Sequence, residues 1–263
     1  MKIFFIGDIV GKPGRRAVRE LLPGIIEERR IDFVIANCEN AAAGFGVTAE
    51  IVEELYGAHI DVLTSGNHIW DKKEVMEFVD DYETLLRPAN YPEGAPGRGS
   101  VVIPSRVGIP IGVLNLAGRV FMQPLDCPFR TADREIEKLR KRARVIIVDM
   151  HAEATSEKIA MGWYLDGRVT AVLGTHTHVQ TADERILPGG AAYITDVGMT
   201  GPFDSVIGIR KDSIMQRFLI QIPNKFDIAK GDVRLQGVTV EIAPDGRAIG
   251  LERLNVSLQE PPG

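Results

Sequence analysis

Short apolar runs alternate along the chain with polar turns and with stretches of helical period. A run of β-branched or aromatic residues is typical of a buried strand, and an apolar spacing of three to four residues is typical of an amphipathic helix. The order of strand, Gly/Asn/Asp/His-rich turn and helix recurs, which predicts parallel βαβ units in an α/β fold. The predicted strands are residues 2–6, 33–36, 61–64, 101–103, 111–115, 145–148, 170–173, 192–195 and 238–242.

Capping and turn residues indicate where the predicted helices begin. Pro13 is suited to the first turn of the helix after the first strand. Thr48 is the predicted N-cap of a second helix, and Thr131 caps a charged helix over residues 132–142. Late in the chain the apolar period shortens towards two, and Asp245-Gly246 predicts a hairpin turn. The remaining segments are an irregular loop at 88–98, a rim or lid at 117–130 and a frayed end at 259–263.

Composition and charge restrict the class of protein. The 263 residues are 44% hydrophobic and 25% charged, which suffices for a full-sized core, and no repeat or linker divides them, so we predict one domain over residues 1–263. A net charge of -5 gives no reason to expect tight binding of duplex nucleic acid. The start of the chain is unlike a secretory signal, the two cysteines make a disulfide framework improbable, and no apolar run is long enough for a membrane span. We therefore predict a cytoplasmic protein.

Potential metal ligands stand in the turns that follow five of the predicted strands. Because the carboxyl ends of parallel strands meet at one edge of a sheet, side chains far apart in sequence would converge there. Imidazoles mixed with carboxylates and amides, without thiolates, suit manganese, iron or zinc better than calcium. The candidates are Asp8, Glu39, Asn40, Asn67, His151, His176 and His178, with His68 beside them.

This mixture of ligands predicts a pair of metal ions. Two ions roughly 3.5–4 Å apart need a carboxylate that bridges them, and together they clamp and deprotonate a water that attacks phosphorus in line. Either Glu39 or Asp8 could be that bridge.

Each candidate also has an ordinary structural interpretation. Asp8 could cap a helix, and Glu39-Asn40 and Asn67 could simply form turns. His151 taken alone is more often a hydrogen-bonded core histidine, and the histidines of His176-Thr177-His178 could satisfy backbone groups from one face of a strand. Their joint occurrence in five turns favours metal binding.

Five motifs in this sequence resemble the signature of the calcineurin-like metallophosphoesterases. They are Gly7-Asp8, Asn37-Cys38-Glu39-Asn40, Gly66-Asn67-His68, His151 and Gly174-Thr175-His176-Thr177-His178. Along essentially the whole chain the sequence is similar to the bacterial subfamily of YmdB-like 2',3'-cyclic-nucleotide 2'-phosphodiesterases, most specifically at residues 4–11, 151–158 and 174–185. The resemblance implies a layered α/β/β/α sandwich that hydrolyses small phosphodiesters, 2',3'-cyclic nucleotides first, through a metal-bridging hydroxide.

The resemblance also implies a role for each candidate. Asp8, Glu39, Asn40 and His178 would serve one metal, and Glu39, Asn67, His151 and His176 the other, with Glu39 as the bridge. His68 would face the substrate and protonate the departing alkoxide or steady the developing charge.

The first two motifs depart from the wider superfamily. The usual Asp-x-His is Asp8-Ile9-Val10, and the usual second aspartate is Glu39, with Asn40 in place of the missing imidazole. An amide oxygen in place of a nitrogen ligand makes that site harder, which leaves the identity of the metal open. Iron is the first expectation and manganese the second.

Four further residues are candidates for contact with the nucleotide. An arginine recognises phosphate and an aromatic ring stacks on a base, although these side chains could equally be packing at the rim. They are Asn115, Arg119, Phe121 and Met122.

Other functions remain open on the same scaffold. The spacing alone does not separate a cyclic-nucleotide phosphodiesterase from a phosphomonoesterase, a nucleotidase or a protein phosphatase. A regulatory protein that keeps the metals for stability is the alternative outside enzymes. The expected partner is a small phosphodiester or nucleotide, and the chain could form a homo-oligomer.

Overall fold

The computed structural model describes residues 1–223 and 226–259. Most of the predicted frayed end, from residue 260 onwards, lies outside the described residues. Within those residues the strands are β1 Lys2–Ile6, β2 Asp8–Ile9, β3 Phe33–Asn37, β4 Val62–Thr64, β5 Ser100–Pro104, β6 Pro110–Ala117, β7 Val145–His151, β8 Ala171–Thr175, β9 Arg185–Ile186, β10 Ala192–Ile194, β11 Met199–Pro202, β12 Val233–Ile242 and β13 Ala248–Ser257. The α-helices are α1 Gly11–Arg29, α2 Ala49–Gly57, α3 Val75–Phe78, α4 Pro128–Leu139, α5 Thr155–Leu165 and α6 Lys211–Ile220, and a 3-10 turn covers Val79–Asp81.

The strands form two sheets. The first has the order β2-β11-β12-β1-β3-β4, with β13 paired to β12, and the second has the order β5-β6-β7-β8-β10-β9. Within the first sheet β1, β3 and β4 are parallel, and within the second β6, β7, β8 and β10 are parallel. Parallel neighbours need long crossovers. Helices α1, α2, α4 and α5 supply four of them, and the segment that contains β9 joins β8 to β10. Strands β12 and β13 pair antiparallel around the predicted turn at Asp245-Gly246.

Alternation along β1 shows how the first sheet is covered on both faces. Ile3 and Phe5 belong to the core between the two sheets. Phe4 and Ile6 point the other way, into a second core formed with α1 and α2. Side chains of a strand alternate between faces, so one short apolar run supplies both cores.

The second sheet is covered in the same way. Its outer face packs against α4 and α5, where Ile136 and Met161 are buried against Ile146 and Val148. The order of layers is therefore helix, sheet, sheet, helix, and the predicted α/β/β/α sandwich is confirmed. No helix within residues 1–223 and 226–259 has the length and apolar content needed to cross a bilayer.

The structure corrects the start of the charged helix. Thr131 does not cap it, because α4 begins at Pro128 and Thr131 is buried inside its first turn, where its N–H donates to the carbonyl of Cys127 at 3.0 Å. Proline is suited to the first helical position because a backbone N–H there has no partner within the helix, so its absence costs no hydrogen bond. Thr48 does cap α2, since its side chain accepts from the N–H of Ile51.

The ligand-bearing strands are shared between the two sheets, whereas the pattern predicts a single sheet edge. Strands β1, β3 and β4 lie in the first sheet, and β7 and β8 in the second. The two sheets meet at their carboxyl ends through Asp149 of β7, which accepts from the hydroxyl of Thr64 at 2.6 Å and from the amide of Asn37 at 3.3 Å. The candidate ligands therefore converge across the sandwich.

Candidate metal centre

Three of the predicted ligands surround a ring nitrogen of a fourth, His151. His151 Nε2 lies 2.9 Å from Glu39 Oε1, 3.1 Å from Asn67 Oδ1 and 3.0 Å from His176 Nδ1. The ligand atoms of Glu39, His151 and His176 all lie within 4.8 Å of one another. Donor atoms this close, with nitrogen and oxygen mixed, are of the kind that holds a divalent transition metal.

The other predicted ligands form a second group beside the first. The amide nitrogen of Asn40 lies 3.4 Å from Asp8 Oδ1 and 3.2 Å from His178 Nε2, and His178 Nε2 lies 3.7 Å from Asp8 Oδ1. The same amide is 3.4 Å from Glu39 Oε1. Glu39 thus contacts both groups, which is the position that a bridging carboxylate requires.

Unusual backbone conformations hold these side chains in place. His176 and His178 have φ angles of 99° and 64°, in the left-handed region that residues with a Cβ rarely adopt. The N–H of His176 donates to Asp8 Oδ2 at 3.1 Å, which ties this strained turn to β2. Gly66 is needed for a different reason, because a Cβ there would collide with the ring of His151.

Hydrogen bonds on the far side of the rings orient their nitrogens. The Thr175 hydroxyl donates to Asp149 Oδ1 at 2.7 Å, so it can only accept from His151 Nδ1, 2.9 Å away. The carbonyl of Ile207 accepts from His178 Nδ1 at 3.0 Å. In both rings Nδ1 therefore carries a proton, and Nε2 is the nitrogen that faces the ligand cluster and could bind a metal.

The electrostatics of the cluster favour a bound cation. Burial raises the pKa of Asp8, with opposition from His178 and His151. Burial also acts to raise the pKa of Glu39, but the charge and hydrogen bond of His151 outweigh this effect, so that the pKa of Glu39 is lowered. Burial acts to lower the pKa of His151, and the charge and hydrogen bond of Glu39 raise it. Burial and the charge of His151 lower the pKa of His176 to about 3, so its imidazole is neutral. A neutral imidazole is the form that binds metals.

The two buried carboxylates lack a permanent cationic partner. Both Asp8 and Glu39 are fully buried, and within the described part of the chain no lysine or arginine forms an ion pair with either. A buried carboxylate is costly unless it is paired or coordinates a metal. The donor set and this deficit of positive charge therefore fit divalent metal ions.

His68 is placed differently from the ligands. Its N–H donates to Glu39 Oε2 at 2.9 Å, and its ring nitrogen Nδ1 lies 2.8 Å from Asp71 Oδ2. The ring meets Phe45 edge to face, with centroids 5.0 Å apart. Both rings line a cavity of about 400 Å³ that also contains Glu39 and His176. His68 therefore faces open space beside the cluster.

The predicted substrate contacts lie outside the lining of this cavity. Asn115 is fully buried, and its amide donates to the carbonyls of Ser65 at 2.9 Å and Leu86 at 3.1 Å. Ser65 immediately precedes Gly66 and the candidate ligand Asn67. Asn115 thus supports that loop from behind.

The other three lie on the loop between β6 and α4. Glu157 accepts from the N–H of Arg119, and Phe121 is 90% exposed. The sulfur of Met122 accepts from the N–H of Glu153, whose carboxylate is 3.2 Å from His176. This loop therefore borders the site without lining the cavity.

Sequence reasoning missed a buried polar group that supports the histidine turn. Asp196 accepts from the N–H of Thr177 at 3.0 Å, from its hydroxyl at 2.7 Å and from Lys158 Nζ at 2.8 Å. Asp196 and Lys158 are both fully buried. Their positions in the sequence, one after an apolar strand and one in a helix, carry no signal that would have paired them.

A metallophosphoesterase is the class of enzyme that this layered sandwich defines, with its imidazole, carboxylate and amide cluster at one end. A family model described as YmdB-like protein matches residues 4–254. The chain belongs to this YmdB-like family, and the resemblance seen in its motifs is confirmed.

Individual relatives agree with this assignment. The chain is 50% identical over 258 residues to the 2',3'-cyclic-nucleotide 2'-phosphodiesterase of Bacillus subtilis, covering 98% of this chain and 97% of that protein. A solved structure of a hypothetical protein from Thermus thermophilus superposes with a TM-score of 0.92 at 43% identity, covering 98% of this chain and 99% of that one. A phosphatase structure from Mycoplasma pneumoniae gives 0.91 at 36% identity, covering 98% and 93%.

Proposed function

We propose that this chain hydrolyses 2',3'-cyclic nucleotides at the 2' bond with the help of two divalent metal ions. The observation that carries the proposal is the position of Glu39. Its carboxylate contacts both groups of donor atoms, and it lines the same cavity as His68. The identity of 50% with a phosphodiesterase of this specificity supports the choice of substrate.

The ligands divide as the motifs imply. Asp8, Asn40 and His178 would hold one ion and Asn67, His151 and His176 the other, with Glu39 shared. When bound, such ions polarise the phosphoryl oxygens and make water a nucleophile at neutral pH. The mixed nitrogen and oxygen donors make Fe²⁺ the first choice and Mn²⁺ the second.

The proton for the leaving group comes from His68. Asp71 accepts from Nδ1 of this ring, which leaves Nε2 as the nitrogen that gains or loses a proton. Protonated Nε2 would donate to the 2' oxygen as its bond to phosphorus breaks, and the product is the nucleoside 3'-monophosphate. The backbone N–H of His68 donates to Glu39, and this hydrogen bond holds the residue next to the ligand cluster.

A panel of phosphate esters tests the substrate. The purified chain, with Fe²⁺ or Mn²⁺ supplied, is assayed with 2',3'-cyclic, 3',5'-cyclic and monophosphate nucleotides and with a phosphopeptide. We expect 2',3'-cyclic substrates to be preferred and the 3'-monophosphate to accumulate. Preference for monoesters would replace this proposal with a phosphomonoesterase or nucleotidase, and preference for the phosphopeptide with a protein phosphatase.

A histidine variant tests the mechanism. His68→Gln should lower kcat by about 10²–10⁴-fold with the metal content preserved, since general acid catalysis contributes that much. His59→Gln is the matched control, because His59 is exposed and is absent from the cavity lining. A metal-loaded wild-type protein without turnover on any ester would instead indicate the regulatory alternative. Cytoplasmic location and a homo-oligomeric state stay predictions from the sequence.

A further inference from the structure

The cavity beside the candidate metal ligands is lined on another side by an apolar wall, which the hydrolysis of a phosphate ester does not require. This wall is apolar and comes from the loop before α6, from α6 itself and from the segment after it. It consists of Val206, Ile207, Ile209, Ile214, Phe218 and Phe226.

Part of this apolar wall is open to solvent. Phe218 is 69% exposed and Ile207 is 50% exposed, although both are large hydrophobic residues. A contiguous exposed apolar patch usually marks a surface that something covers. Because these side chains share one cavity with Glu39 and His176, whatever covers them is adjacent to the ligand cluster.

The wall is also fixed relative to the metal ligands. Ile207 has a φ of 46°, and its carbonyl accepts from Nδ1 of the candidate ligand His178 at 3.0 Å. On the other side, Phe45 continues the apolar surface up to the ring of His68. One ligand can therefore reach the cluster, the proposed acid and the apolar wall together.

We propose that this wall binds the nucleobase of the substrate, with Phe218 and Ile207 covering one face of the ring. The proposal rests on the proposed function and names the part of the substrate that the cluster leaves free. A cavity of about 400 Å³ is in the range of small-ligand sites. An apolar wall covers the face of a base without hydrogen bonds to its edge, so the enzyme distinguishes bases by ring area and prefers purines.

Substrates with and without a base test this inference. Wild type, Phe218→Ala and Phe218→Trp are assayed with adenosine 2',3'-cyclic phosphate and with the 2',3'-cyclic phosphate of methyl riboside, which has no base. We expect Phe218→Ala to raise KM for the adenosine substrate by roughly tenfold, as for loss of one stacking partner, and to leave the baseless substrate unchanged. Phe218→Trp should restore the lower KM.

A neighbouring residue supplies the matched control. Leu219 lies on the same helix, is 77% exposed and is absent from the cavity lining, so Leu219→Ala should leave both KM values unchanged. Two results would overturn the inference in favour of an interface between copies of the chain. One is an equal rise in KM for both substrates in Phe218→Ala. The other is the same rise in KM in Leu219→Ala, together with a change of mass in sedimentation. A loss carried by Phe121→Ala instead would place the base at the other loop.

Failure of the proposed function has a separate signature. If the wild type hydrolyses neither cyclic phosphate, the proposed function is lost, and equilibrium binding of adenosine 3'-monophosphate still tests the wall. Weaker binding to Phe218→Ala than to Leu219→Ala would support the base site, and equal binding would refute it.

Discussion

Replacing Lys158 by methionine should destabilise the protein far more than a surface lysine change would. Lys158 lies in α5 with its Nζ 2.8 Å from Asp196 Oδ2, and both side chains are fully buried. Methionine keeps most of the apolar stem, so little packing is lost. The ammonium disappears, and a buried carboxylate is left without its counter-charge.

The size of the effect follows from the remaining partners of Asp196. Removal of one member of a buried ion pair costs about 3–5 kcal/mol of unfolding free energy. Asp196 keeps two donors from Thr177 and the N–H of Gly198 at 2.8 Å, so we expect the lower end, about 3 kcal/mol. For a chain of this size about 2–4 °C is lost per kcal/mol, which corresponds to a fall in Tm of roughly 6–12 °C.

The same change should weaken metal binding. Asp196 holds Thr177, the residue between the candidate ligands His176 and His178. A carboxylate that loses its counter-charge will be drawn towards solvent or become protonated, and either response loosens this turn. Metal retained after dialysis against a weak chelator should therefore be lower in the variant than in the wild type.

Thermal and urea unfolding followed by circular dichroism measure the effect. The control is Lys138→Met in α4, where the lysine is 61% exposed and pairs with Glu135 at 2.8 Å. An exposed pair of this kind contributes about 0–1 kcal/mol. If the two variants lose similar stability, the buried ammonium is not what stabilises Asp196, and the reasoning is refuted.

Three smaller perturbations test other parts of the fold. Gly66→Ala should abolish metal binding because the new Cβ would displace His151. Gly24→Ala is the control and should be tolerated, since nothing lies within 4 Å of its Cβ. Equal metal content of the two variants by elemental analysis would contradict this. Thr175→Val should weaken metal affinity by about 10–100-fold because His151 Nδ1 loses its partner, as titration with Mn²⁺ would reveal. Thr48→Ala should lower the unfolding free energy by about 0.5–1 kcal/mol in urea melts, and no change would mean that the cap is dispensable.

The local sequence determined much of the scaffold and the identity of the candidate ligands. Alternation in β1, with Ile3 and Phe5 on one face and Phe4 and Ile6 on the other, reflects the two-residue period of any strand. Thr48 caps its helix through a contact three residues away. The ligands could be found for the same reason, since each stands where a predicted strand ends.

Only the tertiary structure decided how these pieces combine. Division of the ligand-bearing strands between two sheets depends on pairing partners far apart in sequence, which a periodic pattern does not specify. Lys158 has the spacing of an ordinary helix residue, and its buried ion pair with Asp196 joins residues 38 positions apart in the chain. Phe218 joins the cavity of Glu39 although most of the chain separates the two residues. Contacts between distant segments are set by how the layers pack, because local propensity acts over a few residues and packing acts across the whole core.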